Sequence, residues 1–475
     1  MRRGSAVRIV AAAELRALAR DGRLVWVLAL LVALGLAAAL SGATALRGQR
    51  AEIAAAKSAD REAWLEQGPR NPHSAAHFGM YAWKPAGALA AFDPGVDRHV
   101  GRAIWMEAHY QSPARFRPVE DETSLARFSS LSAVIVLQQL VPLLLIFAAF
   151  GSIAVERERG TLRELLAQGV SSSAIAAGKL LALGLLAVAP LVVIVASVGG
   201  VAAIAGQGSG DALRWAVLAL TLLLLYLSTT GLAVAVSARA GSLRRALVLG
   251  LALWIAQFVL LPRAASEVAA RLDAVPAASD FWRDVRADQQ AGINGHAPAD
   301  ERYQRLEAET LARYGVTRLE DLPVNFDGIA LQAGEEFGNL VFDRRWGELW
   351  ETYFRQERVL SWAAVFAPGL AARSLSMALA GTDLGHHRHF AQAAEAHRRV
   401  LQQQLNAEMT ARAGKEGFDW KADPELWERT PAFEYVPPGF RESLAGRQFE
   451  LALLFSWCVG SLAWAFHSVR RIPPV

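Results

Sequence analysis

Residues 156–180 read ERERGTLRELLAQGVSSSAIAAGKL and lie between two long apolar runs. The stretch opens with alternating acidic and basic side chains, followed by a Gly-Thr pair at which a short helix can begin, with Thr161 as the candidate N-cap. Leu162, Leu165 and Leu166 give that helix one apolar face. If the flanking runs are membrane spans, a partner that displaces this helix would tilt both of them. The simpler alternative is an amphipathic surface loop without a partner.

The apolar runs predict an all-α polytopic membrane protein. Hydrophobic residues make up 53% of the 475 residues and charged residues only 20%, which is atypical of a cytosolic enzyme or a disordered chain. A span needs about 20 apolar residues, because a rise of about 1.5 Å per residue must cover about 30 Å of hydrocarbon. Six runs meet this length, at residues 24–46, 131–155, 176–205, 213–237, 245–262 and 447–467.

The distribution of charge predicts the orientation. With a cytoplasmic N-terminus, residues 1–23, 156–175, 238–244 and 468–475 lie inside. In and next to these segments there are 15 Lys and Arg residues but only five Asp and Glu residues. The rest of the chain has 34 basic and 40 acidic residues. This asymmetry follows the positive-inside rule and predicts a bacterial inner-membrane protein with both termini in the cytoplasm. The net charge of +4 therefore reflects the excess of Lys and Arg in the cytoplasmic segments and does not indicate nucleic-acid binding.

The first run could instead be a secretory signal, since Ala43-Thr44-Ala45 resembles a cleavage site. However, residues 24–46 exceed the roughly 7 to 15 apolar residues of such signals, so a retained span is favoured. Before it, residues 5–20 predict an amphipathic helix along the membrane surface, with Glu14 misplaced on its apolar face.

Two long segments, residues 47–130 and 263–446, fall on the extracytoplasmic side and predict one mostly helical domain. Helices are predicted at 300–314, 344–358 and 390–412. A further apolar patch covers residues 359–380. A seventh span there would place the basic C-terminal tail outside, so a re-entrant or interfacial helix is the better interpretation.

At this point the chain resembles a known family. The pattern Glu-x-x-x-Gly-Thr-Leu from Glu156, the Leu-rich turn, the Val-Ser element and Gly178-Lys179 before the next span are similar to the cytoplasmic coupling loop of ABC-2 type transporter permeases. Ala13-Glu14-Leu15 and the following Arg-Asp-Gly-Arg resemble the connecting helix of that family. The large extracytoplasmic segments resemble a subgroup with an insertion of unknown function.

The resemblance implies a permease driven by a separate ATPase subunit, which carries ATP and Mg²⁺. This chain lacks the Gly-x-x-x-x-Gly-Lys-Ser/Thr motif, so neither an enzyme activity nor a cofactor of its own is expected. The implied contacts with the ATPase are Glu156, Arg157, Glu158, Gly160, Thr161 and Leu162. A second permease chain, identical or related, would complete the pathway. The favoured function is export; the alternative is a mechanotransmitter, which drives a periplasmic partner through the external domain without moving a substrate.

Other polar residues carry weaker signals. Gln138, Gln139 and Gln257 lie within predicted spans, where they pack helices together or line a pathway. Four histidines have a sequence spacing that matches no known pattern of metal ligands, and a structural role is predicted for them: His386, His387, His389 and His397. His73 and His77 are four residues apart, but Pro72 places them in a predicted loop, so no metal site is expected there.

Overall fold

Helices form most of the chain in a computed structural model that describes residues 3–122, 132–204 and 212–472. The predicted span limits at residues 131 and 205 lie outside the described residues. The main helices are α1 (Arg3–Arg20), α2 (Gly22–Leu65), α3 (Pro72–Phe78), α4 (Ala133–Ile135, continuing through the π-helical turn Val136–Leu140 into Val141–Ala149), α5 (Thr161–Ala167), α6 (Ser172–Ile204), α7 (Ala212–Arg239), α8 (Leu243–Leu272), α9 (Ala278–Gln290), α10 (Glu301–Tyr314), α11 (Phe326–Ala363), α12 (Pro368–Ala380), α13 (Leu384–Arg412) and α14 (Gln448–Arg470). Shorter helices cover Asp97–Val100, Pro118–Asp121, Ala154–Glu158, Glu425–Arg429 and Phe440–Ser443.

Six of the described helices are long and apolar enough to cross a bilayer, and each overlaps one of the six predicted runs. They are α2, α4 with the turn that follows it, α6, α7, α8 and α14. The predicted helical membrane architecture is therefore confirmed. Helix α2 has 44 residues. At about 1.5 Å per residue it is roughly 66 Å long, so it extends well beyond the hydrocarbon region.

Helix α7 occupies the centre of the bundle, where it packs against α4, α6 and α14. Its buried Ser228 and Thr229 donate to carbonyls one turn earlier, at 2.7 and 2.9 Å, so neither hydroxyl is left unsatisfied. At Gly231 an added Cβ would lie 2.8 Å from the carbonyl carbon of Ser461 in α14. The two backbones therefore approach more closely than any larger residue would permit.

The extramembrane domain, defined as residues 66–122 and 273–447, is mostly helical but also contains a sheet that the sequence analysis did not predict. Strands β1 (Met80–Trp83), β2 (Ala103–Glu107) and β3 (Tyr110–Gln111) form an antiparallel sheet in that order, with Met80 opposite Met106. Side chains alternate between buried and half-buried along β1. The sheet packs on α13. The mostly helical character predicted for the domain is confirmed, and the strands, which are only two to five residues long, were not predicted.

The predicted helices of the domain are present, with altered limits. Helix α10 begins after Asp300, whose carboxylate accepts from the Arg302 amide at 2.7 Å, and ends at Gly315 in the left-handed conformation. The predicted helix 344–358 lies in the second half of the longer α11. Helix α13 begins six residues before the predicted start, at Leu384, because Asp383 caps it by accepting from the His386 amide at 2.9 Å.

Residues 364–380, named here the junction segment, connect the extramembrane domain to the spans. The segment comprises the turn after α11 and helix α12, which has 13 residues and is too short to cross a bilayer. Helix α12 packs between α7 and α14, and Ala371 and Leu375 are buried there. The apolar patch at residues 359–380 thus comprises the end of α11, a turn, and helix α12, which packs at the end of the bundle that adjoins the domain.

Candidate functional site

The loop after α4 leads into the short helix α5, which begins at a glycine turn. Gly160 has φ +77° and acts as the N-cap of α5, so the predicted N-cap, Thr161, lies one residue too late. Glycine adopts this left-handed conformation without steric cost, which is why the chain reverses at this residue. The Thr161 hydroxyl instead donates to the Glu156 carbonyl at 3.3 Å.

One face of α5 is buried and the other is free. Leu162 is 4% exposed and belongs to one apolar cluster with Ile175 of α6, Val234 of α7 and Val469 of α14. Leu162 is therefore a packing residue that couples α5 to three spans. The exposed side chains on the opposite face are Thr161, Arg163, Glu164, Ala167 and Gln168.

A buried ion-pair cluster connects α1, the loop and α6. The Lys179 ammonium lies 2.6 Å from a Glu14 carboxylate oxygen and 2.5 Å from one of Glu156. Glu14, which is misplaced on the apolar face of α1 by sequence, thus has a buried cationic partner. At the adjacent Gly178 an added Cβ would lie 2.6 Å from Val10 of α1, so glycine permits the close approach of the two helices.

Two more loop residues bond to the turn between α7 and α8. Arg157 donates to the carbonyls of Ala240, at 2.8 Å, and Ala238. Glu158 accepts from the Leu243 amide at 2.6 Å, at the start of α8. Glu156, Arg157 and Glu158 therefore fix the loop within this chain, while Gly160 and Thr161 remain exposed.

A cavity of about 590 Å³ opens beside α5. Its described lining comes from α5, the end of α7 and the end of α14, and includes four arginines but no acidic residue: Arg157, Arg163, Arg239 and Arg471. The Arg157 guanidinium already donates to the carbonyls of Ala238 and Ala240. The cavity therefore offers a basic surface, next to the exposed face of α5, that is complementary to acidic groups on a partner.

The structure places the three predicted glutamines near the other end of the spans. Gln138 donates to the Ala372 carbonyl at 3.5 Å, and Gln257 donates to the Phe366 carbonyl at 3.4 Å. Both carbonyls belong to the junction segment, and both side chains are buried. Gln139 is half-buried, and its main-chain carbonyl accepts from the Trp254 indole at 3.1 Å. The contacts of Gln138 and Gln257 fit the helix-packing interpretation.

The histidines near the start of α13 bond to separate partners. His386 contacts Asp383 at 2.5 Å and Ser443 at 3.0 Å, while His389 contacts Tyr435 at 3.0 Å. Burial, together with the Lys84 charge, lowers the pKa of His387 to about 3. The contacts of His386 and His389 are of the structural kind, and the structural role of His387 and His397 stays a prediction.

The prediction that His73 and His77 lie in a loop was wrong. Pro72 is the first residue of α3, where proline is well tolerated, and the two imidazoles share one face of that helix. His109 and His296, which the sequence analysis did not single out, lie beside them. No local sequence signal connects these two residues with α3.

The comparisons with known proteins agree with this architecture. The profile of the family described as "ABC-2 family transporter protein" matches residues 8–294, which is more than half of the chain. The chain belongs to the ABC-2 transporter family. A second profile, a domain of unknown function named DUF3526, matches residues 278–436 of the extramembrane domain. No curated protein and no solved structure matches the chain. This ABC-2 protein is the membrane component of an ABC transporter, and its family implies an ABC ATPase partner.

Proposed function

We propose that this chain is the permease subunit of an ATP-driven exporter and that the ATPase docks on α5 and the basic cavity beside it. The α5 end of the bundle then lies in the cytoplasm and the extramembrane domain on the opposite side, as the charge asymmetry predicts. A second permease chain, identical or related, completes the pathway. ATP and Mg²⁺ bind the partner ATPase.

The observation that carries this proposal is the way α5 is attached. Its exposed face is available to a partner. Its buried face lies in an apolar cluster with residues of α6, α7 and α14, and the preceding loop bonds to α8 and, through Lys179 of α6, is connected to α1. A displacement of α5 by the ATPase would therefore move the ends of several spans together. Nucleotide binding could in this way shift the balance between inward-open and outward-open states.

The Arg163→Glu variant tests the docking surface. Arg163 is exposed and lines the basic cavity. Reversal of its charge is expected to weaken ATPase binding at least about tenfold, because charge complementarity is replaced by repulsion. The measurement is Mg-ATP hydrolysis by the ATPase that co-purifies with the tagged chain from its native host.

The matched control is Arg305→Glu, an exposed arginine on α10 of the extramembrane domain. This variant should retain hydrolysis at the level of the unaltered chain. Equal hydrolysis by the two variants would remove α5 and the cavity from the ATPase interface.

A mechanotransmitter is the second candidate, and one feature favours it. Helix α2 runs without a break from the α1 end of the bundle to the start of the extramembrane domain, where its Trp64 lies in the apolar core of that domain. The junction segment bonds to Gln138, Gln257 and Trp457 of three spans. Movement at the α5 end would therefore be transmitted into the domain, where it could act on a periplasmic partner.

This transmission can be tested with a pair of spin labels. They are attached at Ala167→Cys in α5 and Arg305→Cys in α10, in a Cys458→Ala background. Both label sites are exposed, and Cys458 is the only native cysteine. Double electron–electron resonance on the reconstituted complex should show that the distance between the two labels differs between the ATP-trapped and nucleotide-free states. Identical distance distributions in an ATPase-active complex would exclude the domain as a driven element.

A further inference from the structure

Four histidines of the extramembrane domain converge on one point. Each can offer a ring nitrogen, and these four nitrogens all lie within 4.8 Å of one another. The Nε2 atoms of His73 and His77 are 3.1 Å apart, and those of His109 and His296 are 3.0 Å apart. The residues come from three separate segments, namely α3, the β2–β3 turn and the loop between α9 and α10.

Helix α3 presents two of the imidazoles in a fixed orientation. Asn71 caps the helix by accepting from the His73 amide at 2.9 Å, and its own amide donates to the Trp420 carbonyl at 3.0 Å. His73 and His77 are one turn apart, so their side chains project from the same face.

The third imidazole is oriented by a buried carboxylate. His109 has φ +61°, a strained conformation for a residue with a side chain. Glu335 accepts from its backbone amide at 2.6 Å and lies 2.8 Å from its Nδ1 atom. This contact leaves Nε2 directed at the cluster. A carboxylate behind a ligating histidine is the usual arrangement around protein-bound metals.

The fourth imidazole closes the cluster from the loop. The His296 amide donates to the Asn294 side chain at 2.9 Å, which forms a local turn. At Gly295 an added Cβ would lie 2.6 Å from the Ala330 carbonyl, so the loop lies directly on α11. His77 and His296 are exposed, which provides an entry path from solvent.

The cluster is electrostatically suited to a cation once its imidazoles are neutral. Burial and the neighbouring histidines lower the pKa of His73 to about 3, and the same causes lower the pKa of His77 and His296. Neutral imidazole is the form that ligates metals. Four nitrogens placed tetrahedrally at about 2.0–2.1 Å from a zinc ion would lie about 3.3 Å apart, close to the two Nε2 distances observed here.

We propose that His73, His77, His109 and His296 form a binding site for one divalent first-row transition metal ion, of the zinc or copper class. An all-nitrogen ligand set favours such ions over Mg²⁺ and Ca²⁺, which require oxygen ligands. The bound ion joins the first extramembrane segment to the second across 187 residues of sequence between His109 and His296. This inference is independent of the proposed transport function.

The test is Zn²⁺ and Co²⁺ binding by the purified full-length chain after chelator treatment. One Zn²⁺ per chain is expected by competition titration, together with a rise in the thermal midpoint. Co²⁺ should give the intense visible absorption of a tetrahedral nitrogen site. The absence of both signals in the unaltered chain overturns the proposal without reference to any variant.

The His296→Ala variant should lower Zn²⁺ affinity at least about 100-fold, because even loss of a residue behind a ligand costs 10–100-fold. His296 is exposed, so the domain should still fold. The control is His99→Ala, an exposed histidine outside the cluster, which should bind Zn²⁺ as the unaltered chain does. Equal affinity in these two variants would assign the bound metal to another place on the chain.

Discussion

The Lys179→Met variant is expected to destabilise the helix bundle strongly, because it removes the ion pairs at the end of the bundle next to α5. Among the described ion pairs, Lys179 is the only cation in direct contact with the buried carboxylate of Glu14 and the half-buried carboxylate of Glu156, at 2.6 and 2.5 Å. Without it, two like charges remain together in a site with little solvent. Breaking a buried ion pair in this way costs about 3–5 kcal/mol.

The measurement is the thermal midpoint of the detergent-solubilised chain, with the recovered monodisperse fraction as a second readout. The matched control is Lys57→Met, which removes an exposed lysine from α2 and should shift the midpoint little. Similar midpoints in the two variants would mean that the cluster contributes nothing to folding.

A triple variant, Glu14→Gln with Lys179→Met and Glu156→Gln, separates stability from transmission. Removing all three charges should recover much of the midpoint, because no uncompensated charge remains buried. The charged connection between α1, the loop and α6 would still be missing, so ATP hydrolysis and transport should stay uncoupled. Full coupling in the triple variant would show that the ion pairs serve stability alone.

The spans could be predicted because hydropathy acts locally. A run of about 20 apolar residues has to leave water whatever the rest of the chain does. The loop from Glu156 to Lys179 was also recognisable, since its residues are contiguous. The ion pair of Glu14 was not predictable in the same way, because its partner Lys179 lies 165 residues further along the chain.

The histidine cluster shows the same limit more strongly. His73 and His77 form a local pair, yet their spacing alone is as common in structural helices as in metal sites. His109 and His296 become relevant only when the β2–β3 turn and the α9–α10 loop fold onto α3. Strand β1 was missed for a related reason, since it pairs with β2 across 20 to 26 residues of sequence, from Trp83 with Ala103 to Met80 with Met106.

The Arg398→Met variant is expected to destabilise the extramembrane domain as strongly as Lys179→Met destabilises the bundle. The Arg398 side chain is 1% exposed and donates to Glu395 at 2.8 Å, to Glu335 at 3.0 Å and to Asn339 at 2.5 Å. These contacts connect α13 to α11 in the centre of the domain.

The charge on Glu335 makes this loss costly. Burial by itself would raise the pKa of Glu335, but hydrogen bonds from His109 and the charge of Arg398 lower it to about 2. The carboxylate is therefore ionised at neutral pH. Methionine fills a similar volume but leaves Glu335 and Glu395 without the guanidinium, which is expected to cost about 3–5 kcal/mol.

Arg399 provides the matched control on the same helix. It pairs with Glu395 and Asp343 at 2.7 Å, but its side chain is 29% exposed, so solvent can replace its contacts. Arg399→Met should cost about 1 kcal/mol or less. Thermal unfolding and the rate of tryptic cleavage within residues 273–447 both report on the domain. Because Glu335 orients His109, Arg398→Met should also weaken Zn²⁺ binding, whereas Arg399→Met should not. Equal unfolding and cleavage in the two variants would place the stability of the domain in its apolar core, with the buried arginine contributing no more than its exposed neighbour.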